Sequence, residues 1–212
     1  MLLGEVADDH PDKGDVAARH CIRTGNFERA LWWLDALRAR DPADLSRWSL
    51  TELLWRKTGD ARAEWLSIRS GLVAAAPLGL HADELDALAE LLRSLHRTSG
   101  RPIGQSARGG TQTRGALFDR DDALIGQLRN RIQSALDTYR AALPAADASH
   151  PLLAHRDRRL KAAGGWSIRL TASGFHVAHL HSSGLVSSAC SIVAPPHRPR
   201  PERGVSRARP PP

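Results

Sequence analysis

Three histidines fall within one short stretch, Phe175-His176-Val177-Ala178-His179-Leu180-His181. The stretch alternates and reads as a strand, on which successive side chains point to opposite faces. His179 and His181 then share a face with Phe175 and Val177, and His176 points away. Two imidazoles at i and i+2 can reach a single ion. Non-haem Fe(II) sites use this spacing, most often as His-x-Asp or His-x-Glu, with a distal histidine completing a facial triad and three positions left open. Zinc suits the ligand type equally well. A surface strand with incidental histidines accounts for the pair just as simply, so spacing alone leaves the chemistry open.

The elements around the cluster follow from periodicity. Trp166-Ser167-Ile168-Arg169-Leu170 alternates as a strand. Gly174 marks a turn, the histidine stretch follows, Gly184 marks another turn, and Leu185 to Ala194 reads as a third strand. Sequential strands with short turns imply an antiparallel meander. Upstream, a helix is expected over 121–143, with Leu124, Ile125, Leu128, Ile132, Leu136 and Tyr139 on one face and Pro144 ending it.

The front half carries a repeat. Gly25-Asn26-Phe27-Glu28-Arg29-Ala30 recurs loosely as Gly59-Asp60-Ala61-Arg62-Ala63-Glu64, at the tetratricopeptide period. Gly25 belongs in the turn between paired helices, and Phe27, Ala30, Leu34 and Leu37 form the inward stripe of the second. The next unit opens with Trp48, runs to Gly59 and then degrades, since Glu64 and Gly71 stand where small or apolar residues belong. A further helix is expected over 82–96 on Leu85, Leu88, Leu92 and Leu95. Trp32, Trp33, Trp48, Trp55 and Trp65 are assigned to the seams between helices rather than to a peptide groove.

Between front and sheet lies a polar stretch, 99–115. It lacks the lysine of a phosphate-cradling loop and carries a single Arg-Gly-Gly, where nucleic-acid segments carry many. It reads as an ordered loop in which Gly109 and Gly110 supply unusual backbone angles.

Composition bounds the rest. The chain has 212 residues and a net charge of +7, and only three of its 30 basic residues are lysines. Acidic residues are interspersed through most of the chain, so nucleic acid is not the expected partner. Cys21 and Cys190 make no disulfide framework. The N-terminus reads as no signal peptide, and no apolar stretch approaches the roughly 20 residues that cross a bilayer. A cytoplasmic protein with no membrane partner is expected.

Several strings resemble one family of 2-oxoglutarate/Fe(II) oxygenases that carry tetratricopeptide repeats. They are Leu54-Trp55-Arg56, Gly59-Asp60, the run from Gln105 to Thr113, His150-Pro151-Leu152-Leu153, the run from Gly165 to Leu170, the run from Gly174 to His181, and Ser187-Ser188-Ala189. They stand in the family's order across residues 20 to 196. The Arg-Gly-Gly-Thr-Gln-Thr string and the tryptophan strand are the specific ones. The resemblance implies a double-stranded β-helix (jelly roll), Fe(II) and 2-oxoglutarate as cofactors, and oxidative hydroxylation of a substrate. It makes His179 and His181 the metal contacts. It leaves the catalytic and 2-oxoglutarate-binding residues unassigned. The repeats would present a protein or peptide substrate.

The chain departs from the family at Ala178, Ser182 and Leu185, where Asn, Pro and Trp are usual, and around Ser191, where an aromatic strand belongs. Pro195 to Pro212 is rich in proline and arginine and is expected to be disordered. A strand with its turn takes about 8–12 residues, so 166–194 has room for three strands where the fold needs about eight. The distal histidine and the arginine for 2-oxoglutarate would lie downstream. His197 and Arg198 match them in type only. A truncated or frameshifted, impaired oxygenase is expected, and a non-catalytic helical-repeat interaction module is the alternative. The expected class is α+β. Helical repeats occupy 1–98, a loop and helices 99–165, a partial β-helix with the histidine cluster 166–194, and a disordered tail 195–212.

Overall fold

The computed structural model describes residues 12–96 and 106–193. The expectations for the N-terminus, for the Pro/Arg-rich tail with His197 and Arg198, and for part of the polar stretch lie outside them. The fold is mixed helix and sheet, α+β in class.

Helix α1 (Lys13–Arg23) and helix α2 (Phe27–Arg40) form a hairpin around Gly25. Asn26 caps α2 by accepting from the Arg29 N–H at 3.2 Å. Ala30 and Leu34 are fully buried with Ala18 and Leu54, and Phe27 packs against them. Leu37 is buried as well, so the expected inward stripe holds. Helix α3 (Leu45–Thr58) starts on Asp44, which accepts from the N–H groups of Ser46 and Arg47, and stops at Gly59. Gly25 and Gly59 take the same left-handed angle, φ 76° and 72°, where a side chain would be strained. Arg47 then ties three helices together. Its guanidinium pairs with Asp15 of α1 at 2.9 Å and donates to the Leu37 carbonyl of α2 at 3.4 Å. The Asp15 hydrogen bond holds its pKa above the ordinary arginine value.

After Gly59 the helical pattern survives as a single π turn, Glu64–Ile68, closed by the Arg69 N–H on the Glu64 carbonyl. This is where the repeat degrades in the sequence. Trp55 is buried, Trp48 and Trp65 pack partly buried beside it, and Trp32 is exposed. Trp33 packs partly buried against the first core, so four of the five front tryptophans fill seams and Trp32 departs from the expectation.

Helix α4 (Ala82–Leu95) and helix α5 (Ala123–Ala142) supply the second core. Leu88 and Leu92 of α4 meet Ile125 and Leu128 of α5 and Leu117 before it. Both helices lie within about two residues of the expected bounds. Glu84 does more than favour a helix N-terminus through its charge. It accepts from the His81 N–H at 2.8 Å and from Arg131 of α5 at 2.9 Å, joining the two helices.

The sheet corrects the sequence reading. Strand β1 (Ala107–Gln112) lies inside the expected loop and pairs antiparallel with strand β2 (Ile168–His176). Gly174 is not a turn but part of β2. The described residues 177–193 contain no strand, so of the strand expected over 175–181 only Phe175 and His176 are extended, as the end of β2, and the strand expected over 185–194 does not form across its described residues 185–193. A turn does close near Gly184, whose N–H donates to the His181 carbonyl at 3.2 Å. The register slips between Arg108 and Gly110, so that Gly109 alone faces the residues between Leu170 and Phe175. The two glycines allow this. Gly109 has φ 65°, and a Cβ at Gly110 would lie 2.5 Å from the Arg169 carbonyl oxygen.

The helical front is fastened to the rest at His150. Its ring is buried and packs edge-on against Trp65, centroids 4.9 Å apart. Nε2–H donates to the Leu66 carbonyl, while Nδ1 accepts from the N–H groups of Leu152 and Leu153. Trp65 Nε1–H donates to Asp147 at 3.0 Å. Bonds from Ser149, and then from Trp65, hold the Asp147 carboxyl down to about 2. Burial pushes His150 below its ordinary 6.5, against the opposing pull of Asp147 and with a smaller push from Arg69.

These shifts fix a sign. Between the folded and the ordinary pKa of His150 the unfolded chain binds a proton that the folded one does not, so stability is full above about 6.5 and declines as pH falls below it. The Asp147 contribution persists above its ordinary range and goes only as pH falls through about 2. Urea unfolding of the wild type is therefore expected to shift to lower midpoints between about pH 7 and pH 5. His150→Asn should show a smaller shift in that window. Equal shifts in the two proteins would assign the loss to other histidines.

Candidate functional site

The end of β2 and the segment after it bring the three histidines together, though not by the expected route. His176 is the last residue of β2 and pairs with Ala107 of β1. The Val177 N–H donates to the Ser106 carbonyl at 3.0 Å and extends the pairing by one bond. The chain then leaves the sheet, and strand alternation no longer governs where side chains point. His179 and His181 converge through this irregular backbone, Nε2 to Nε2 3.1 Å. His176, expected to face away, lies beside them. Its ring stacks at 5.8 Å from that of His179, and its Nδ1 is 3.1 Å from the Ser106 hydroxyl.

Hydrogen bonding sets the state of His179. Its Nδ1 is 2.8 Å from the Val177 carbonyl oxygen. A carbonyl only accepts, so Nδ1 carries the proton and Nε2 of the neutral ring keeps its lone pair. That lone pair faces His181 Nε2 at 3.1 Å and Ser106 Oγ at 3.4 Å. A second nitrogen held by a backbone carbonyl is the usual way a metal-binding imidazole is oriented. Trp166 flanks the pair, its ring 5.5 Å from that of His181.

Whether these residues fit a metal ion can be tested on distance. Nitrogen donors about 2.1 Å from an ion and at right angles to each other lie about 3 Å apart. The 3.1 Å between the two Nε2 atoms matches. By distance alone His179 and His181 could take two adjacent positions of one divalent ion; in the structure the same 3.1 Å is a hydrogen bond in which His181 Nε2–H donates to the lone pair of His179 Nε2. Among the described residues, no group of three His, Cys, Asp or Glu side chains is spaced to hold a metal. A facial triad of two histidines and a carboxylate is thus not assembled from them.

2-Oxoglutarate fares differently. The hydrogen-bond partners of the cluster are Ser106, the Val177 carbonyl and the histidines themselves. None is a cation that could grip a carboxylate. These described partners offer no grip for its carboxylate.

Two contributors were not legible from spacing. Ser106 sits in the polar stretch, and only its place in the Gln105-to-Thr113 string marked it. His96 follows α4 and spans the sheet, with Nδ1 2.8 Å from Thr111 Oγ1 and Nε2 3.0 Å from Ser167 Oγ. Thr113 Oγ1 accepts from the Ser167 N–H at 3.0 Å. The Thr-Gln-Thr and Trp-Ser strings thus tie both strands to α4, and the sheet in turn positions Ser106 and His176.

Comparison of the chain with protein-family models, with curated proteins and with solved structures gives no match.

Proposed function

We propose that this chain is a metal-binding member of the 2-oxoglutarate/Fe(II) oxygenase lineage, with His179 and His181 as its metal contacts. The observation that carries this reading is the 3.1 Å approach of two Nε2 atoms, one of them with its lone pair set by the Val177 carbonyl. In a member of that lineage holding both, Fe(II) with 2-oxoglutarate would supply the oxidising power for hydroxylating a substrate. The chain's own part is to hold the ion at the end of β2 and to orient His179 through its second nitrogen. The reading of 107–193 as the front of a jelly roll rests on the family strings together with the antiparallel pairing of β1 and β2. The reading of α1–α3 as tetratricopeptide-like rests on the matched angles at Gly25 and Gly59. Because, among the described residues, no printed hydrogen-bond partner of the histidines is a cation, we propose that the ion is bound without 2-oxoglutarate being consumed.

The test joins metal titration with succinate release. Co(II), an air-stable stand-in for Fe(II), should bind the wild type near one equivalent. His179→Ala and His181→Ala should each weaken binding beyond about 100-fold. Succinate formed from 2-oxoglutarate with Fe(II) should stay at the metal-only background. Binding that survives the double substitution would sink the metal assignment. Succinate release lost in His179→Ala would instead establish a working oxygenase.

A second reading, a helical-repeat interaction module, is favoured by Trp32. It is 52% exposed on α2, with the Arg29 guanidinium 4.1 Å above its ring and Trp33 edge-on at 4.8 Å. Exposed tryptophan–arginine groups are typical anchors of protein interfaces.

A further inference from the structure

We infer that the Ser106 hydroxyl is the third protein contact of the metal held by His179 and His181, with His176 acting as a positioning residue for it. This inference rests on the metal reading above and names a ligand that the expected triad does not contain.

The argument starts from the proton count. A serine hydroxyl has one hydrogen and two lone pairs. Ser106 Oγ stands between two imidazole nitrogens, His176 Nδ1 at 3.1 Å and His179 Nε2 at 3.4 Å. It can donate to only one of them. His179 Nε2 is the lone-pair nitrogen, because its Nδ1 proton is committed to the Val177 carbonyl. In the ion-free protein His181 Nε2–H is the donor to that lone pair; an ion bound to both rings takes the lone pair of His179, removes it as an acceptor, and holds His181 in the tautomer with its hydrogen on Nδ1. The hydroxyl proton then has His176 Nδ1 as its partner, and an oxygen lone pair is left facing the ion.

Distance agrees. Two donors adjacent on one ion are separated by about 3 Å. His179 Nε2 lies 3.1 Å from His181 Nε2 and 3.4 Å from Ser106 Oγ. Relative to His179, the hydroxyl is within a few tenths of an ångström of that separation. Its backbone is already fixed, since the Ser106 carbonyl accepts from the Val177 N–H at 3.0 Å. Ser106 and His176 stand at facing ends of β1 and β2, so the sheet register sets their separation. The set carries no negative charge: two imidazoles and a hydroxyl. It therefore suits a divalent ion that accepts imidazole, and leaves the ion's charge to be balanced by an anionic ligand from solution.

Co(II) titration of the full chain, followed by its visible absorption, tests the assignment. Ser106→Ala should raise the dissociation constant about tenfold and alter the Co(II) band shape. Ser106→Thr, which keeps the hydroxyl, should bind within about twofold of wild type, and His176→Phe should lose affinity comparably to Ser106→Ala. The Ser106 backbone bond does not involve the side chain, so circular dichroism of Ser106→Ala should match wild type. Unchanged affinity and spectrum in Ser106→Ala, with binding still abolished in His179→Ala, overturns this inference and leaves the two-histidine reading standing. A wild type that takes up no Co(II) overturns both.

Discussion

His150→Ala is expected to destabilise the protein by about 3–4 kcal/mol, as the sum of a cavity and stranded hydrogen-bonding groups. The ring is 2% exposed, and Leu153 beside it is fully buried. Removing it leaves the Leu66 carbonyl and the N–H groups of Leu152 and Leu153 without their partners. It also removes the ring on which Trp65 packs. His150→Asn separates the terms. Its side-chain oxygen can accept from the N–H groups two and three residues on, as a helix-capping Asn does, but does not reach Leu66. It should recover about half of the loss. Chemical unfolding at pH 7.5 measures both. A loss under about 1 kcal/mol in the alanine variant would mean that the front and rear of the chain are not fastened there.

The second large effect is expected at Gly110. Gly110→Ala places a methyl group 2.5 Å from the Arg169 carbonyl oxygen and 3.0 Å from the Leu170 Cα. Both obstacles are backbone, so no rotamer relieves them. The strands must separate or change register, at about 2–3 kcal/mol. The more telling consequence is at the histidines. A shifted register moves Ser106 away from His176, and Co(II) binding should weaken along with stability. Gly115→Ala is the control: a Cβ there meets nothing within 4 Å and only φ 71° is strained, so it should cost about 1 kcal/mol and leave metal affinity unchanged.

The helices were legible because each announces itself locally. Leu85, Leu88, Leu92 and Leu95 carry α4, and the Leu124-to-Tyr139 stripe with Pro144 carries α5. The sheet was legible only in part. Ile168 and Leu170 alternate with polar residues and mark β2, but β1 is Ala-Arg-Gly-Gly-Thr-Gln and has no apolar face to read. Its strand character comes from a partner far away in the chain. Gly174 resembled a turn because glycine punctuates loops. Here it serves the close approach of two strands at a bulge.

The candidate site shows the same division. His179 and His181 were found from i, i+2 spacing, yet the strand that justified the spacing is not present. They meet because Val177 O holds one ring and the His181-to-Gly184 turn holds the backbone of the other. His176 alternates with Phe175 within β2, and it lies beside the other two because the strand expected to carry them to the opposite face is absent. Ser106 could not be paired with it by any local rule.

The pairing of Ser106 with His176 joins residues 70 apart in sequence, whereas the α1–α2 hairpin closes across a three-residue turn, residues 24–26. Loop-closure entropy penalises the first contact far more than the second. Chains form their local contacts early and their distant ones late. The expected order on folding is then the helical hairpin first, the α4–α5 core next, and the two strands last. The atoms proposed to bind metal would come into register only at that final step. An ion that binds them acts on the native state and not on the path to it, so it should slow unfolding while leaving the refolding rate unchanged.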